Sequence, residues 1–431
     1  MIKRIIKKFL PKQILFFYHQ ALAILASFFY GQPSNKLIVI GVTGTAGKST
    51  TVYLIGKMLE KSGWRVGWTS SISFKGTNGE ITNKEKMTMP GRFFLQKFLA
   101  GLVKNNYQAV IIETSSEGIL QSRHLGINYD AIVFTNLSPE HIEVHGGFEN
   151  YKKTKAKLFV HLKKQKNKII NGQEIKKTIF VNLDNEHADY FLSFSADEYF
   201  GYGIKNKELG IRSKKIQTIK AENVANSSFT IHDSSFQLHL SGKFNIYNAL
   251  ATISVGQWFK IPLEQAKKSL ESINLIPGRM EEVIGQPFKV IVDYAHTPVE
   301  LENVYQSFPN KNLICLLSSA GGGRDKWKRP MLGKLAAQYC QQIILTDEDP
   351  YDENPTTIIK EIEAGFLPTT NYQIILNRRE AIKKALSLAK PNDIIIITGK
   401  GCEPWMCVAN GQKVAWDDRK IVKDFLQNLE S

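Results

Sequence analysis

Several signatures are missing from this 431-residue chain, and each absence narrows its chemistry. Cysteine occurs only four times, at Cys315, Cys340, Cys402 and Cys407, and never as a C-x-x-C pair. Structural zinc and a disulfide framework are therefore not expected, and reduced thiols suit the spacing better. The chain holds no zinc finger, no RNA-binding signature and no basic helix followed by heptads, which argues against nucleic acid as a partner. It shows no internal repeat and no low-complexity tract. Acidic residues are in deficit: 40 Asp and Glu face 56 Lys and Arg, a formal charge of +16. The lysines are scattered, so the excess suits a solubilising surface, an anionic small substrate or an anionic membrane surface. The longest apolar run, QILFFYHQALAILASFFYG, is broken by His19 and Gln20 and is short for a spanning helix.

That run follows a basic stretch, MIKRIIKKFLPK, so residues 1–35 look like the charged and hydrophobic parts of a signal peptide. A nucleotide-type loop lies close behind, and such chemistry belongs inside the cell. The segment is therefore expected to be a retained helix, lying on the inner membrane face or packed on the body of a cytoplasmic protein, with a transmembrane anchor as the lesser alternative.

From Pro33 onward the pattern alternates short apolar strands with helices. KLIVIGVTG reads as a buried strand entering a glycine turn, and KSTTVYLIGKMLEKSG as a helix stopped at Gly63. YQAVIIETSS and DAIVFTNLS are two more apolar strands with polar ends, as in a parallel sheet covered by helices. Ligands collect at the carboxyl ends of such strands, where Glu113, Ser115, Thr135 and Asn136 stand. SSFTIHDSSFQLHLSG alternates like an antiparallel pair, and the Pro-Gly of INLIPGR marks a hinge. A second alternating set begins beyond it. The expected fold is α/β: a central P-loop-type, mostly parallel sheet domain over 36–277 and a C-terminal Rossmann-like α/β domain over 278–431.

The stretch GVTGTAGKSTT combines a strand, a glycine-rich turn and a helix opening at Lys48. Backbone N–H groups and the positive helix end favour phosphates there, and lysine adds a full charge. Ser49 suits Mg²⁺. The usual G-x-x-x-x-G-K-[ST] spacing would need glycine at Val42, whereas the glycines stand at Gly41, Gly44 and Gly47.

This variant loop resembles that of the Mur ligase family. The resemblance continues in family order through IIETSSEGILQSR, FTNLSPEHIEVHGGFENYKKTKAKLF, GKFNIYNALA, PGRMEEV, VDYAHTPVELENV, GGGRDKWKRP and ITGKGCE. DYAHTP and GKGCE look like the MurE type, which adds the third stem-peptide residue to UDP-MurNAc-L-Ala-D-Glu. The resemblance implies an ATP-dependent amide ligase of peptidoglycan synthesis that works through an acyl phosphate. Two anions meet in such a reaction, so metal ions and cationic side chains should dominate the site.

By family position, Gly44, Thr45, Ala46, Gly47, Lys48, Ser49 and Thr50 would cradle ATP. Ser49 and Glu113 would hold one Mg²⁺, and His141 with a CO₂-derived carbamate on Lys155 would hold a second. Asn248 would touch adenine, while Arg279, Asp293 and Arg324 would reach ATP from the hinge and the C-terminal domain. Thr88, Ser115, Gln121, Arg123 and His296 would hold the UDP-MurNAc-dipeptide. Gly399 and Glu403 would bind the incoming amino acid. Three departures stand out: Glu140 where the family has Asp, Glu117 where His is common, and Thr88-Met89-Pro90 for Thr-Thr-Pro.

In diaminopimelate-adding relatives a D-N-P-R motif supplies an arginine to the distant carboxylate. Here Glu348, Asp349, Pro350 and Tyr351 align with it. Loss of one charge-assisted contact costs about 1.5–3 kcal/mol. The surrounding TDEDPYDENP is instead acidic, which suits the side-chain ammonium of a diamino acid such as lysine or ornithine. Relatives of this type also carry a longer uridine-binding segment ahead of the loop, whereas 40 residues precede Gly41 here. The usual UDP pocket is thus expected to be reduced, or the acceptor to be a related precursor such as a lipid-linked one. Other readings are a folylpolyglutamate- or cyanophycin-type ligase and a non-catalytic nucleotide-binding module. The last would predict loss of Lys48, Glu113, His141 or Lys155, and all four are present.

Overall fold

The structure, a computed structural model, describes residues 12–205 and 214–430. The basic stretch 1–11 lies outside the described residues. Helix α1 (Lys12–Phe29) is the apolar segment, and no described helix is long and apolar enough to cross a membrane.

The strand Ile38–Thr43 is buried along its whole length. Its side chains alternate between two cores, as the two-residue strand period requires. Ile38, Ile40 and Val42 pack with Val52, Ile55 and Leu59 of helix α2 (Lys48–Lys61). Val39 packs on the opposite face with Leu95 and Leu99 of helix α3 (Arg92–Lys104) and with Phe159. Burial on both faces explains why this strand reads as an unbroken apolar run.

Nine strands form the central sheet. Their order across it is Ile216–Lys220, Glu198–Gly203, Thr178–Asn182, Ala131–Phe134, Ile38–Thr43, Ala109–Glu113, Val66–Thr69, Ser73–Gly76 and Gly79–Thr82. The first seven run parallel; Ser73–Gly76 runs against them and Gly79–Thr82 turns back again, each pairing antiparallel with the strand before it. Parallel register puts the ends of Ile38–Thr43, Ala109–Glu113 and Ala131–Phe134 on one edge, with Val42 opposite Glu113 and Thr43 opposite Phe134. The residues that follow these strands therefore share one rim. Ser228–Ile231 and Ser234–Gln237 pair antiparallel, as their alternation predicts.

Beyond the hinge, a six-stranded sheet runs Glu281–Ile284, Lys289–Val292, Ile394–Ile397, Leu313–Leu317, Gln342–Leu345 and Tyr372–Ile374. Only its first pair is antiparallel. Here the cysteine expectation needs correction. Cys315, on the Leu313–Leu317 strand, forms a disulfide with Cys340 at the end of the helix Arg329–Tyr339. Their Cα atoms are 6.0 Å apart across a separation of 25 residues. The strand–helix–strand crossover brings them together, which no local spacing rule detects. Cys402 and Cys407 are free and buried.

At the hinge, Gly278 has φ +63°, and a Cβ there would collide with the backbone nitrogen of Cys402. Gly278→Ala should therefore lower the unfolding free energy by about 1–3 kcal/mol or more, read by denaturant titration against wild type. Wild-type stability in this variant would refute a hinge locked by backbone contact.

Candidate active site

The phosphate loop begins where the strand Ile38–Thr43 ends. Gly47 takes φ 76° as the N-cap of α2 and offers no side-chain cap. The first N–H groups of the helix thus face outward with the positive helix end, as an anion site needs. Asn136, from the rim of the neighbouring strand, shapes the turn: its Oδ1 accepts from Ala46 N at 2.9 Å. Lys48 folds back, and its Nζ donates to Thr45 O at 2.6 Å.

Lys155 lies on the helix Phe148–Lys164 and is buried. Its Nζ donates to Gly44 O at 2.6 Å and sits 4.5 Å from the Tyr151 ring centre. Burial holds this amine well below the usual lysine range, and nearby Lys48 pushes the same way. Tyr151 also meets the loop, with its hydroxyl 3.1 Å from Thr45 Oγ1. Glu113 accepts from Ser71 N at 2.7 Å, and Ser71 Oγ donates to Thr88 Oγ1 at 3.0 Å.

His141 has φ 54° and precedes the short helix Ile142–His145. The C-terminal domain caps this helix, because Asp325 accepts from Ile142 N and Glu143 N, each at 3.0 Å. Burial drives His141 down to about 2, helped by His296, Lys155, Lys328 and Lys48, so its imidazole is neutral at neutral pH. Beside it, Lys328 Nζ pairs with Glu140 at 2.8 Å, both side chains being buried. The unusual Glu140 thus reaches a cation from the other domain.

The hinge and C-terminal domain close the site from the other side. Asp293 accepts from Met280 N and Ala295 N, each at 2.6 Å, and burial raises its pKa despite nearby Arg279. The Arg279 guanidinium stacks 4.4 Å from the Tyr294 ring centre. Asn248 accepts from Thr51 Oγ1 at 3.2 Å and abuts Gly47. His296 Nδ1 lies 3.0 Å from Tyr294 O. Among the residues expected to hold the acceptor, Ser115 Oγ accepts from Gly118 N at 3.2 Å, and Arg123 donates to Gln121 Oε1 at 2.8 Å and to Met89 O.

All of the residues assigned roles by position, from Gly44 through Glu403, line one cavity of about 780 Å³. Lys48, Glu113, His141, Lys155, Arg279, Asp293 and Arg324 face it together with Thr88, Ser115, Gln121, Arg123, Asn248, His296, Asp349, Tyr351 and Gly399. No group of three or more His, Cys, Asp or Glu side chains able to hold a metal occurs among the described residues.

The acidic stretch behaves differently from its sequence reading. Asp349 accepts from Lys400 Nζ at 3.0 Å, from Cys407 N at 2.7 Å and from Lys86 Nζ. Lys86, from the central domain, also pairs with Glu403 at 2.9 Å. Glu348 accepts from Ser318, Asp352 from Asn410 N, and Glu353 from Arg329. These carboxylates already have partners within the protein, so a surplus of acid does not by itself mark an ammonium subsite. Sequence reasoning missed Lys86, because its partner Asp349 lies 263 residues away. Asp325 and Lys328 were missed for the same reason.

The Lys86–Asp349 contact has a pH signature. Lys400 first and then Lys86 hold Asp349 below the usual carboxylate range although burial opposes them. A depressed carboxylate contributes stability above its unfolded value, about 3.9, and that stability is lost as pH falls through the folded value. Lys86→Ala should cost about 1.5–3 kcal/mol near neutrality. The difference from wild type should shrink as Asp349 protonates, as read by thermal unfolding at stepped pH. A gap that stays constant into acid would show that the pair contributes nothing.

Comparison with known proteins gives this geometry its context. The description "Mur ligase middle domain" matches residues 42–256, and "Mur ligase, glutamate ligase domain" matches residues 278–401. A relative from Clostridium acetobutylicum is 34% identical over 424 residues, covering 95% of this chain and 82% of its own. Its name is UDP-N-acetylmuramoyl-L-alanyl-D-glutamate--2,6-diaminopimelate ligase 1. The similarly named ligase of Halalkalibacterium halodurans is 34% identical over 412 residues, with the same coverage of both chains. A solved structure of a ligase with this name superposes with TM-score 0.59 at 26% identity, over 92% of this chain and 79% of its own. A pseudomurein peptide ligase type C from Methanothermus fervidus shares the fold at TM-score 0.65 and 20% identity, over 91% of this chain and 79% of its own. Two matched domains, and kinship along nearly the whole chain, show that this protein belongs to the Mur ligase family.

Proposed function

We propose that this chain is an ATP-dependent acid–amino-acid ligase that extends UDP-MurNAc-L-Ala-D-Glu, or a related precursor, in peptidoglycan synthesis. One observation carries the reading: a single cavity between two α/β domains gathers the phosphate loop, Glu113, His141 and Lys155. The relatives' names supply the acceptor and the class of amino acid.

The residues suit two Mg²⁺ ions. Ser49 and Glu113 would hold one, and His141 with a carbamate on Lys155 the other. Two features of the chain support this set. The buried Lys155 amine is biased toward its neutral form, which is the form that captures CO₂. A carbamate would also supply the anionic oxygen that the described side chains lack as a preformed cluster. The ions, when bound, neutralise phosphate charge and polarise the oxygens that react.

The protein's own part is binding and orientation. The α2 N-terminus and Lys48 hold the triphosphate. Gln121 and Arg123 position the acceptor so that its carboxylate attacks the γ-phosphorus, forming an acyl phosphate as ADP leaves. Arg279 and Arg324 add positive charge where these anions meet. The amine then attacks the acyl carbon and inorganic phosphate departs. Closure of the domains around the cleft excludes water, which would otherwise hydrolyse the acyl phosphate.

For the incoming amine, the relatives' names indicate a diamino acid that carries two carboxylates, diaminopimelate. Lysine or ornithine is the second reading, favoured by Tyr351 standing where the family arginine grips the distant carboxylate. ATP and a nucleotide-linked acceptor suit the cytoplasm, with the N-terminal segment as the candidate for contact with the inner membrane face.

Phosphate release should require ATP, Mg²⁺, UDP-MurNAc-L-Ala-D-Glu and an amino acid chosen from diaminopimelate, lysine and ornithine. Lys48→Ala and Lys155→Met should each lower kcat by about 10²–10³, the scale of a lost charge-stabilising group. Lys155→Met should keep or raise thermal stability, because it removes a desolvated amine. Labelled bicarbonate should give wild type a protein-bound carbamate signal that Lys155→Met lacks. Absence of turnover with every amino acid would reject this acceptor.

A further inference from the structure

Helix α1 presents an apolar face to solvent. Ile14, Phe17, Tyr18, Ile24, Leu25 and Phe28 are all exposed, Phe17 at 67% and Phe28 at 64%. They recur at three- and four-residue steps and so share one side of the helix. The opposite side, with His19, Ala23, Ala26 and Ser27, is buried against the body. The helix is thus firmly seated and yet leaves its largest side chains uncovered. No charged residue occurs from Gln13 to Phe29.

The sequence around this face is cationic. Lys3, Arg4, Lys7, Lys8 and Lys12 precede it, and the first acidic residue of the chain is Glu60. An apolar stripe preceded by basic residues, in a segment without acid, has the chemistry of a helix lying in the plane of an anionic lipid surface. A protein partner would have to supply a matching apolar groove and a high density of acid together.

The position of the face adds meaning. The α1 backbone touches the segment that carries the acceptor-side residues, since a Cβ at Gly126 would meet the Ala23 carbonyl. Arg92 links the two: it donates to the Gln121 carbonyl and feels both Tyr18 on the stripe and Arg123 in the cavity. Phe93 extends the apolar surface beside Phe29, their ring centres 6.3 Å apart.

We infer that the α1 stripe is a membrane-docking surface for anionic lipid, which places the acceptor side of the cleft at the bilayer. The inference rests on the stripe and its charge, so it stands or falls separately from the ligase reading.

The test is flotation of the full chain with vesicles. Wild type should float with vesicles containing phosphatidylglycerol and remain behind with pure phosphatidylcholine, and added salt should weaken binding. Phe17→Glu with Leu25→Glu should reduce bound protein at least tenfold while keeping the wild-type melting temperature and solution phosphate release. Lys7→Glu with Lys8→Glu should remove the preference for anionic lipid. No flotation of wild type, or equal flotation of the Phe17/Leu25 variant, would overturn the inference. So would a dimer in light scattering that depends on Phe17 and Leu25 and never binds vesicles, since a second copy would then cover the stripe.

Discussion

Everything in the cleft is arranged around a buried amine. Lys155 has lost its water, lies against the Gly44 carbonyl and shares its neighbourhood with Lys48. Such a site is poorly suited to a cation and well suited to a group that becomes anionic, or to anions brought in from outside. The surrounding geometry answers that constraint. The phosphate loop turns its N–H groups and its helix dipole toward the same space, and Glu113 and the neutral His141 stand at its edge. Positive charge is concentrated at the phosphate loop, where an anion would lie.

Neither domain completes this arrangement alone. The short helix after His141 has no side-chain cap of its own and is capped by Asp325 from beyond the hinge. Glu140 finds its cation, Lys328, in the same place. The orientation of His141 is therefore a property of the closed molecule. Gly278 lets the joint take a left-handed turn and pack against Cys402, where a side chain would not fit.

Much of this was legible in the sequence, for a physical reason. A phosphate loop is contiguous: the strand, the turn and the helix start that trap an anion lie within eleven residues, so pattern alone locates it. Parallel strands buried on both faces read as apolar runs, which locate the rim where Glu113 and Asn136 stand. Features made by tertiary pairing left no such mark. The Cys315–Cys340 bond depends on a crossover that returns a helix end to a strand. The charge of TDEDPYDENP was visible, but its neutralisation by Lys86, Lys400 and Arg329 was not. A sequence shows how many charges there are, and only the fold shows which already have partners.

Lys86, from the central domain, is held between Asp349 and Glu403 of the C-terminal domain. Parting the domains would strip Lys86 of both carboxylates, which keep Lys400 as their cation. Opening of this seam thus meets an ionic brake. Dissolved salt would loosen that brake, because ions screen the charges as they separate.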